Sequence, residues 1–250
     1  MKVLYFLYHW LIAVPVFLVL TALTAITTSI GSILFSVDFF GYWPPHYWAK
    51  LTCWVFLIRV KVKGEENIDP KTSYIFVANH QGAFDIFTIY GFLGHNFKWL
   101  MKKSLEKIFL VGAACRNAHH IFVDDSKIAA IKETIAKAED TLKDGMSLVI
   151  FPEGSRSWDG KMVPFKRGAF MLAAEFNKPV VPVTIEGSFD RLARFAKQVK
   201  PGTITLTIHK PILPGPRGFN TKQLMAQCRE EIEKALMDNH KGESANRRVD

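Results

Sequence analysis

The stretch NHQGAFD, residues 79–85, places a histidine and an aspartate five positions apart between two apolar segments. A short apolar run precedes it and a helical pattern begins near Ala83. This puts His80 in a turn and Asp85 in the first turn of a helix. Residues five apart on a regular helix point about 140° away from each other. The two side chains can therefore meet only if His80 lies outside the helix and folds back.

Two interpretations of this pair follow from the residue types alone. If the side chains meet, the Asp85 carboxylate accepts a hydrogen bond from one imidazole nitrogen and leaves the other free to act as a base. The hydroxyl to be activated would then belong to the substrate, because the chain has no GxSxG motif. The alternative is an ordinary helix N-terminus, where Asp85 only interacts favourably with the helix dipole.

A second polar stretch, FPEGSRS at 151–157, follows an apolar run that reads as a strand. Open α/β sheets bind ligands just beyond the carboxyl ends of their strands. Arg156 offers a fork that suits a phosphate, Gly154 leaves backbone N–H groups approachable, and Glu153 can accept hydrogen bonds from hydroxyls. The alternative is a tight turn with a surface ion pair.

Composition excludes several other classes of site. His119 and His120 point to opposite sides of a strand, and no cysteine or carboxylate spacing completes a metal site. The three cysteines are scattered without a CxxC motif, which favours a reducing, cytosolic setting. A net charge of +9 favours partners that carry phosphate. Nucleic acid is not expected, because the aromatic residues concentrate in the apolar N-terminus instead of alternating with basic residues.

The first 37 residues predict an association with a membrane. No Asp, Glu, Lys or Arg occurs from Val3 to Val37. One straight helix of that length would span about 52 Å, against about 30 Å of hydrocarbon in a bilayer. The segment is therefore expected to be a tilted span with one wet end, or a helical hairpin bent near residues 27–32. A buried hairpin in a soluble core is the remaining alternative.

Charge asymmetry around this segment predicts its orientation. Lys50, Arg59, Lys61 and Lys63 follow the apolar segment, whereas only Lys2 precedes it. The positive-inside rule therefore places the rest of the chain on the cytoplasmic face of the inner (plasma) membrane.

The remainder of the chain alternates short apolar runs with helical patterns, which predicts an α/β domain. Ile128, Ile131, Ile135, Ala138 and Leu142 recur at helical spacing. We expect an apolar membrane-docking segment at 1–59, a single α/β domain with a central mixed sheet flanked by helices at 60–240, and a disordered tail at 241–250. The expected strands are 74–78, 120–123, 147–151, 180–185 and 203–209. Residues 60–64 alternate in polarity and end at a glycine, and a closing helix is expected over 221–237.

Taken in order, these motifs resemble those of the glycerolipid acyltransferase family. The family's NHxxxxD motif is matched by Asn79, His80 and Asp85, and its FPEG(T/S)RS motif is matched throughout 151–157. A later strand motif that contains Val-Pro is matched by VVPVTIEGS at 180–188. The resemblance extends from about residue 60 to residue 215.

The resemblance implies a reaction and a set of site residues. It implies that His80 is a general base with Asp85 as its partner, and that an acyl group passes from acyl-CoA or acyl carrier protein to the free hydroxyl of a lysophosphatidate. No metal or redox cofactor is expected, and the partners are a lysophospholipid, an acyl thioester and the bilayer. The residues expected to bind substrate are Glu153, Gly154, Ser155 and Arg156, with Arg156 on phosphate.

Two positions depart from the family pattern. Asp125 stands where the family's second motif carries an arginine near phosphate, so that Arg116 or Lys127 is a candidate substitute. Another lysolipid, such as an ornithine or ether lipid, is an alternative acceptor. Gly82 stands where the first motif commonly has serine. A lipid-binding protein without catalytic activity is the alternative from a different class.

Overall fold

The protein is described by a computed structural model that covers residues 2–124, 128–215, 218 and 220–246, with the backbone alone for residues 2, 128–132 and 238–246. The strands are β1 (Ile58–Lys63), β2 (Ile75–Ala78), β3 (Phe97–Lys102), β4 (Ile121–Val123), β5 (Ser147–Ile150), β6 (Val180–Glu186) and β7 (Gly202–Ile208). The helices are α1 (Lys2–Tyr8), α2 (Val14–Leu34), α3 (Val37–Phe40), α4 (Trp43–Val55), α5 (Phe84–Phe92), α6 (Val111–Asn117), α7 (Ile128–Lys143), α8 (Gly168–Phe176), α9 (Ser188–Arg191) and α10 (Thr221–Asn246).

The strands form one seven-stranded sheet in the order β1-β7-β6-β2-β5-β3-β4. All neighbouring strands are parallel except β6 and β7, which are antiparallel. The prediction of an α/β domain with a mixed sheet is therefore confirmed. Because β2, β5 and β6 run in parallel side by side, the loops that follow them meet at one edge of the sheet.

Both faces of the sheet are covered by helices. In β2, Phe76 and Ala78 face a core that includes α4 and α5, whereas Ile75 and Val77 face a core that includes α7, α8 and α10. All four residues of this strand are fully buried. Burial on both faces explains why the strand is apolar without alternation.

Strand β3 was not expected from the sequence. Lys98 interrupts its apolar pattern, yet this side chain is only 4% exposed. Its ammonium lies 3.4 Å from a carboxylate oxygen of Asp38 and 3.4 Å from the carbonyl oxygen of Val37. Burial lowers the pKa of Lys98, and the nearby Asp38 carboxylate partly offsets that effect.

The N-terminal segment is a helical hairpin whose turn lies later than expected. α1, a π-helical turn (His9–Ala13) and α2 form one helical run that continues through residues 27–32 without interruption. The chain then turns, and α4 packs back along α2. Tyr8 Oη donates to the Val55 carbonyl (2.8 Å), and Trp48 Nε1 donates to Thr21 Oγ1 (3.0 Å).

This hairpin is not the buried core element of a soluble protein. The helix from Val3 to Leu34 is long and apolar enough to cross a membrane, and only 17% of its most apolar stretch is buried. Its other side packs on the α/β domain, where the Phe17 ring lies 6.0 Å from the ring of Phe87 on α5. The outward side therefore presents a broad apolar surface that fits a lipid environment.

The closing helix extends beyond its predicted end at residue 237. α10 continues to Asn246, so residues 241–246 are helical. A polar composition does not stop a helix that packing has already nucleated, because each further residue adds one hydrogen bond. The closing helix is therefore longer than the expected 221–237, and residues 247–250 of the predicted tail lie outside the described residues.

Candidate active site

His80 and Asp85 are in contact at the edge of the sheet where β2 ends. His80 Nδ1 lies 2.8 Å from Asp85 Oδ2. The contact forms because His80 precedes α5 and folds back over the helix start, which the five-residue spacing requires. Asp85 is fully buried, whereas 13% of the His80 side chain is exposed. The structure thus brings together the two residues that the sequence singled out first.

Backbone groups converge on the same carboxylate. The backbone N–H groups of Gln81 and Gly82 donate to Asp85 Oδ2 at 2.7 and 2.9 Å. The Ser188 hydroxyl donates to the other oxygen, Oδ1. The carboxylate thus accepts hydrogen bonds from a ring nitrogen, two backbone N–H groups and a hydroxyl. It therefore holds Nδ1 of His80 as the protonated nitrogen and can stabilise the ring when it gains a second proton.

The His80 ring is fixed on one face and open at one nitrogen. It stacks on Phe151 with ring centroids 4.1 Å apart and an interplanar angle of 9°. Phe151 stacks in turn on Trp99 at 5.3 Å. Within the part of the chain that the structure describes, no protein atom hydrogen-bonds Nε2 of His80. This nitrogen is therefore available to accept a proton from a bound hydroxyl.

Glu153 joins the two loops of the site. Its Oε1 accepts the His80 backbone N–H (2.7 Å), and its Oε2 accepts the Val163 N–H (2.9 Å). Burial raises the pKa of the Glu153 carboxyl, and these two hydrogen bonds oppose that effect. Glu153 is only 4% exposed. The geometry therefore supports a positioning role, in place of the substrate contact expected from sequence.

Residues 151–157, which were expected to bind phosphate, form a tight turn that carries Arg156. The Gly154 N–H donates to the Phe151 carbonyl (3.0 Å). This N–H group is therefore not available to bind a phosphate. Ser155 makes no side-chain hydrogen bond to the described residues. Arg156 is half-buried, and no carboxylate of the described chain forms an ion pair with it. Its guanidinium is therefore able to bind an anionic ligand.

The two proposed substitutes for the missing arginine fare differently. Arg116 Nε lies 2.9 Å from Glu106 Oε1, and Lys103 approaches the same carboxylate at 2.6 Å. Arg116 could bind phosphate only by leaving this ion pair. Lys127 and Asp125 lie outside the described residues.

His120 makes a structural contact. Its Nδ1 accepts the backbone N–H of Trp99 (3.2 Å), and its Nε2 lies 2.6 Å from the Tyr90 hydroxyl. Burial lowers the pKa of His120 to about 3, which keeps the ring neutral. With both ring nitrogens engaged, it has no lone pair to offer a metal. Across the described ranges, no group of three or more His, Cys, Asp or Glu side chains is arranged to hold a metal ion.

A comparison of the sequence with known protein families agrees with the geometry of this site. Residues 59–186, just over half of the chain, match the family model described as Acyltransferase. The chain belongs to the acyltransferase family. The matched segment contains the His80–Asp85 pair and the turn that carries Arg156.

Individual acyltransferases resemble the chain beyond this segment. It is 27% identical over 240 residues to a 1-acyl-sn-glycerol-3-phosphate acyltransferase of Chlamydomonas reinhardtii, covering 94% of this chain and 69% of that protein. It is 29% identical to a chloroplastic 1-acyl-sn-glycerol-3-phosphate acyltransferase of Brassica napus, covering 76% of this chain and 54% of that protein. The matches thus span between about half and two thirds of these relatives.

A solved acyltransferase structure shares the fold over nearly the whole chain. The crystal structure of the 1-acyl-sn-glycerophosphate acyltransferase PlsC from Thermotoga maritima superposes with a TM-score of 0.78 at 28% identity, and the match covers 95% of each chain. The likeness therefore includes the N-terminal hairpin as well as the α/β domain.

Two residues of the site, Ser188 and Asn79, occur in the sequence motifs but were not predicted to have roles of their own. Ser188 lies just past the end of β6, which pairs with β2, so parallel-strand geometry brings it beside Asp85. Asn79 appeared only as a motif letter, but it tethers the turn to β6. Its Nδ2 donates to the Ile185 carbonyl (2.8 Å), and its Oδ1 accepts the Ile185 N–H (2.7 Å).

Gly82 generates a prediction because its loop touches the loop of Ser188. A Cβ added at Gly82 would lie 2.5 Å from the Ser188 carbonyl oxygen, so Gly82→Ala must displace backbone. We expect a loss of about 1–3 kcal/mol in the free energy of unfolding, and a fall in activity because Asp85 shifts.

Gly168→Ala is the matched control, since a Cβ there meets nothing within 4 Å. Thermal unfolding in detergent and turnover should be compared for the two variants. If Gly82→Ala is as stable and as active as Gly168→Ala, the close approach of the two loops is wrong.

Proposed function

We propose that this chain transfers an acyl group from a thioester to the free hydroxyl of 1-acyl-sn-glycerol-3-phosphate and forms phosphatidic acid. The observation that carries the proposal is the His80–Asp85 pair, which leaves Nε2 of His80 open at the ligand-binding edge of an acyltransferase fold. The relatives and the solved structure named above support the choice of acceptor.

The reaction follows from the positions of the two side chains. Nε2 of His80 takes the proton of the acceptor hydroxyl while that oxygen attacks the thioester carbonyl. Asp85 stabilises the imidazolium that forms. The tetrahedral intermediate then collapses, the carbon–sulfur bond breaks, and the leaving thiolate takes a proton from the imidazolium. The products are an ester and a free thiol, and this acid–base route calls for no metal or redox cofactor.

Recognition of the acceptor's phosphate is assigned to Arg156. The guanidinium lies in the turn that also carries Glu153, and Glu153 is bonded to the His80 backbone. A phosphate held by Arg156 would therefore fix the acceptor at a set distance from the base. The donor is acyl-CoA or an acylated acyl carrier protein, because both carry the acyl group as a thioester.

The proposed location is the cytoplasmic face of the membrane. The exposed side of the helix from Val3 to Leu34 docks on the bilayer, where the amphiphilic acceptor and product reside. The basic residues that follow the apolar segment support a cytoplasmic position for the α/β domain.

Removal of the base is the first test of this proposal. His80→Ala should lower turnover on the order of 10²–10⁴-fold, measured as thiol release from acyl-CoA with lysophosphatidate. Asp85→Asn should lose a comparable amount, because an amide can hold the wrong tautomer of His80.

The matched control for base removal is His209→Ala, which deletes a histidine at the opposite edge of the sheet, where it contacts Thr184. Its turnover should stay close to that of the unmodified chain. Near-normal turnover in folded His80→Ala would contradict the mechanism. Absence of thiol release in the unmodified chain would favour a non-catalytic lipid-binding protein.

Substitution of Arg156 tests how the acceptor is recognised. Arg156→Ala should raise the KM for lysophosphatidate by the equivalent of about 2–5 kcal/mol if the contact is desolvated, with little change in the KM for the donor. Arg156→Lys should recover part of the loss, because a point charge cannot reproduce the two-pronged contact.

Arg116→Ala and Lys127→Ala complete the series. Arg116→Ala should change the acceptor KM little, since its guanidinium already pairs with Glu106. If Arg156→Ala and Lys127→Ala both leave the KM unchanged, the acceptor's phosphate is not bound by these groups. A lysolipid without that phosphate would then be the better substrate assignment.

A further inference from the structure

Two large aromatic rings are exposed beside the candidate active site. Trp158 is 66% exposed and Phe195 is 68% exposed, and their ring centroids lie 5.1 Å apart. The Arg194 guanidinium lies over the Trp158 ring at 4.2 Å. We call these three residues the rim patch. Adjacent exposed aromatic rings on a protein surface usually mark a contact with a partner or a membrane.

The rim patch is attached to the loops of the site. Arg194 Nη1 donates to the carbonyl of Arg156 (3.2 Å). Trp158 follows Ser157, whose backbone N–H donates to the His80 carbonyl (2.9 Å). Through these hydrogen bonds, a contact that fixes the rim patch would also fix the loops around His80.

Val199, four residues after Phe195, links the chain segment of the rim patch to the N-terminal helix. The Val199 N–H donates to His9 Nε2 (3.2 Å), and Tyr5 Oη donates to the Val199 carbonyl (3.0 Å). The exposed apolar side of that helix begins at this point, with Val3 and Leu4 each 74% exposed. The chain segment that carries the rim patch is therefore hydrogen-bonded to the start of the hairpin through Val199.

Positive charge accompanies the aromatic rings. Arg191, Arg194, Lys197 and Lys200 recur at three-residue intervals, whereas Asp190 is the only acidic residue from 188 to 201. Tryptophan is enriched at the headgroup level of membranes, and basic residues near the surface are attracted to anionic lipids. This combination fits an anionic bilayer surface better than a neutral one.

We propose that the rim patch is a second bilayer contact, separate from the hairpin, that holds the opening of the His80 site against anionic lipid headgroups. The inference rests on the proposed function only in that the acceptor is a bilayer lipid. The hairpin would supply attachment to the bilayer, and the rim patch would set how the site faces it.

Fluorescence quenching tests the contact without turnover. The full chain and its Trp158→Phe variant are reconstituted in vesicles that contain lipids brominated near the top of the acyl chain. The difference between their spectra isolates Trp158, and its emission should be quenched. Quenching should be stronger in vesicles with phosphatidylglycerol than in phosphatidylcholine alone. Unquenched Trp158 emission would overturn the proposal, and equal quenching in the two lipids would overturn its anionic specificity.

Enzyme kinetics provide a second test of the rim patch. The double variant Trp158→Ala, Phe195→Ala should raise the KM for vesicle-bound lysophosphatidate about tenfold and leave kcat/KM for a short-chain, water-soluble acceptor unchanged. Leu213→Ala, Met237→Ala removes two exposed apolar side chains elsewhere and should change neither value. If the rim variant instead raises only the KM for acyl carrier protein, the patch binds an acidic protein and the proposal is wrong. Failure of His80→Ala to lose activity would overturn the proposed function alone.

A separate observation concerns the far side of the Asp85 carboxylate. Oδ2 receives the donors from the 80–82 turn, whereas Oδ1 receives the hydroxyl of Ser188. Ser188 and Asp85 are both fully buried, so water does not replace this donor. The geometry points to Ser188 as a positioning residue, which fixes the rotation of the carboxylate so that Oδ2 stays on the His80 ring.

Ser188→Ala tests this role, which also rests on His80 as the base. We expect kcat to fall about tenfold to a hundredfold, as for the loss of one hydrogen bond to a charged group, with the KM of both substrates unchanged. Ser73→Ala is the control, because Ser73 is nearly buried and donates to the Met146 carbonyl (2.8 Å) away from the site. If the two variants have the same kcat while His80→Ala is inactive, Ser188 is structural only.

Discussion

The buried carboxylate of Asp85 is the feature on which the rest of the site depends. An unpaired anion removed from water costs several kcal/mol. Here the cost is offset by the His80 ring, by backbone N–H groups of the preceding turn, and by the Ser188 hydroxyl. Because these donors come from separate elements, the carboxylate can be buried at this low cost only when the elements are assembled. The same contacts that stabilise the charge also orient the histidine.

The sheet supplies that assembly. β2 lies between β5 and β6 and is parallel to both, so the loops that follow the three strands meet at one edge. Each neighbouring loop fixes the histidine turn from one side: Glu153 bonds to the His80 backbone, and Asn79 bonds to Ile185 of β6. The N-terminal hairpin packs on α5 through Phe17 and Phe87. The exposed apolar helix and the His80–Asp85 pair are therefore packed on one core.

The sequence predicted the parts of this arrangement that are encoded locally. The turn-then-helix pattern around His80 indicated that Asp85 could be reached. Strand β3 escaped prediction because Lys98 breaks its apolar pattern, and only the tertiary structure reveals that the ammonium reaches Asp38. The contact of Ser188 with Asp85 depends on how β6 pairs with β2, across about a hundred residues of chain. No local pattern encodes such a register.

The central claim is that Asp85 holds the proton on Nδ1 of His80 and leaves Nε2 free to act as the base. Nitrogen NMR of the histidine rings in the full chain tests it most directly, with His80→Gln used to assign the His80 signals among those of the eight histidines. The account predicts that, in the neutral ring, Nδ1 has the shift of a protonated nitrogen and Nε2 that of an unprotonated one. The opposite pattern, or an even mixture of the two tautomers, would contradict it.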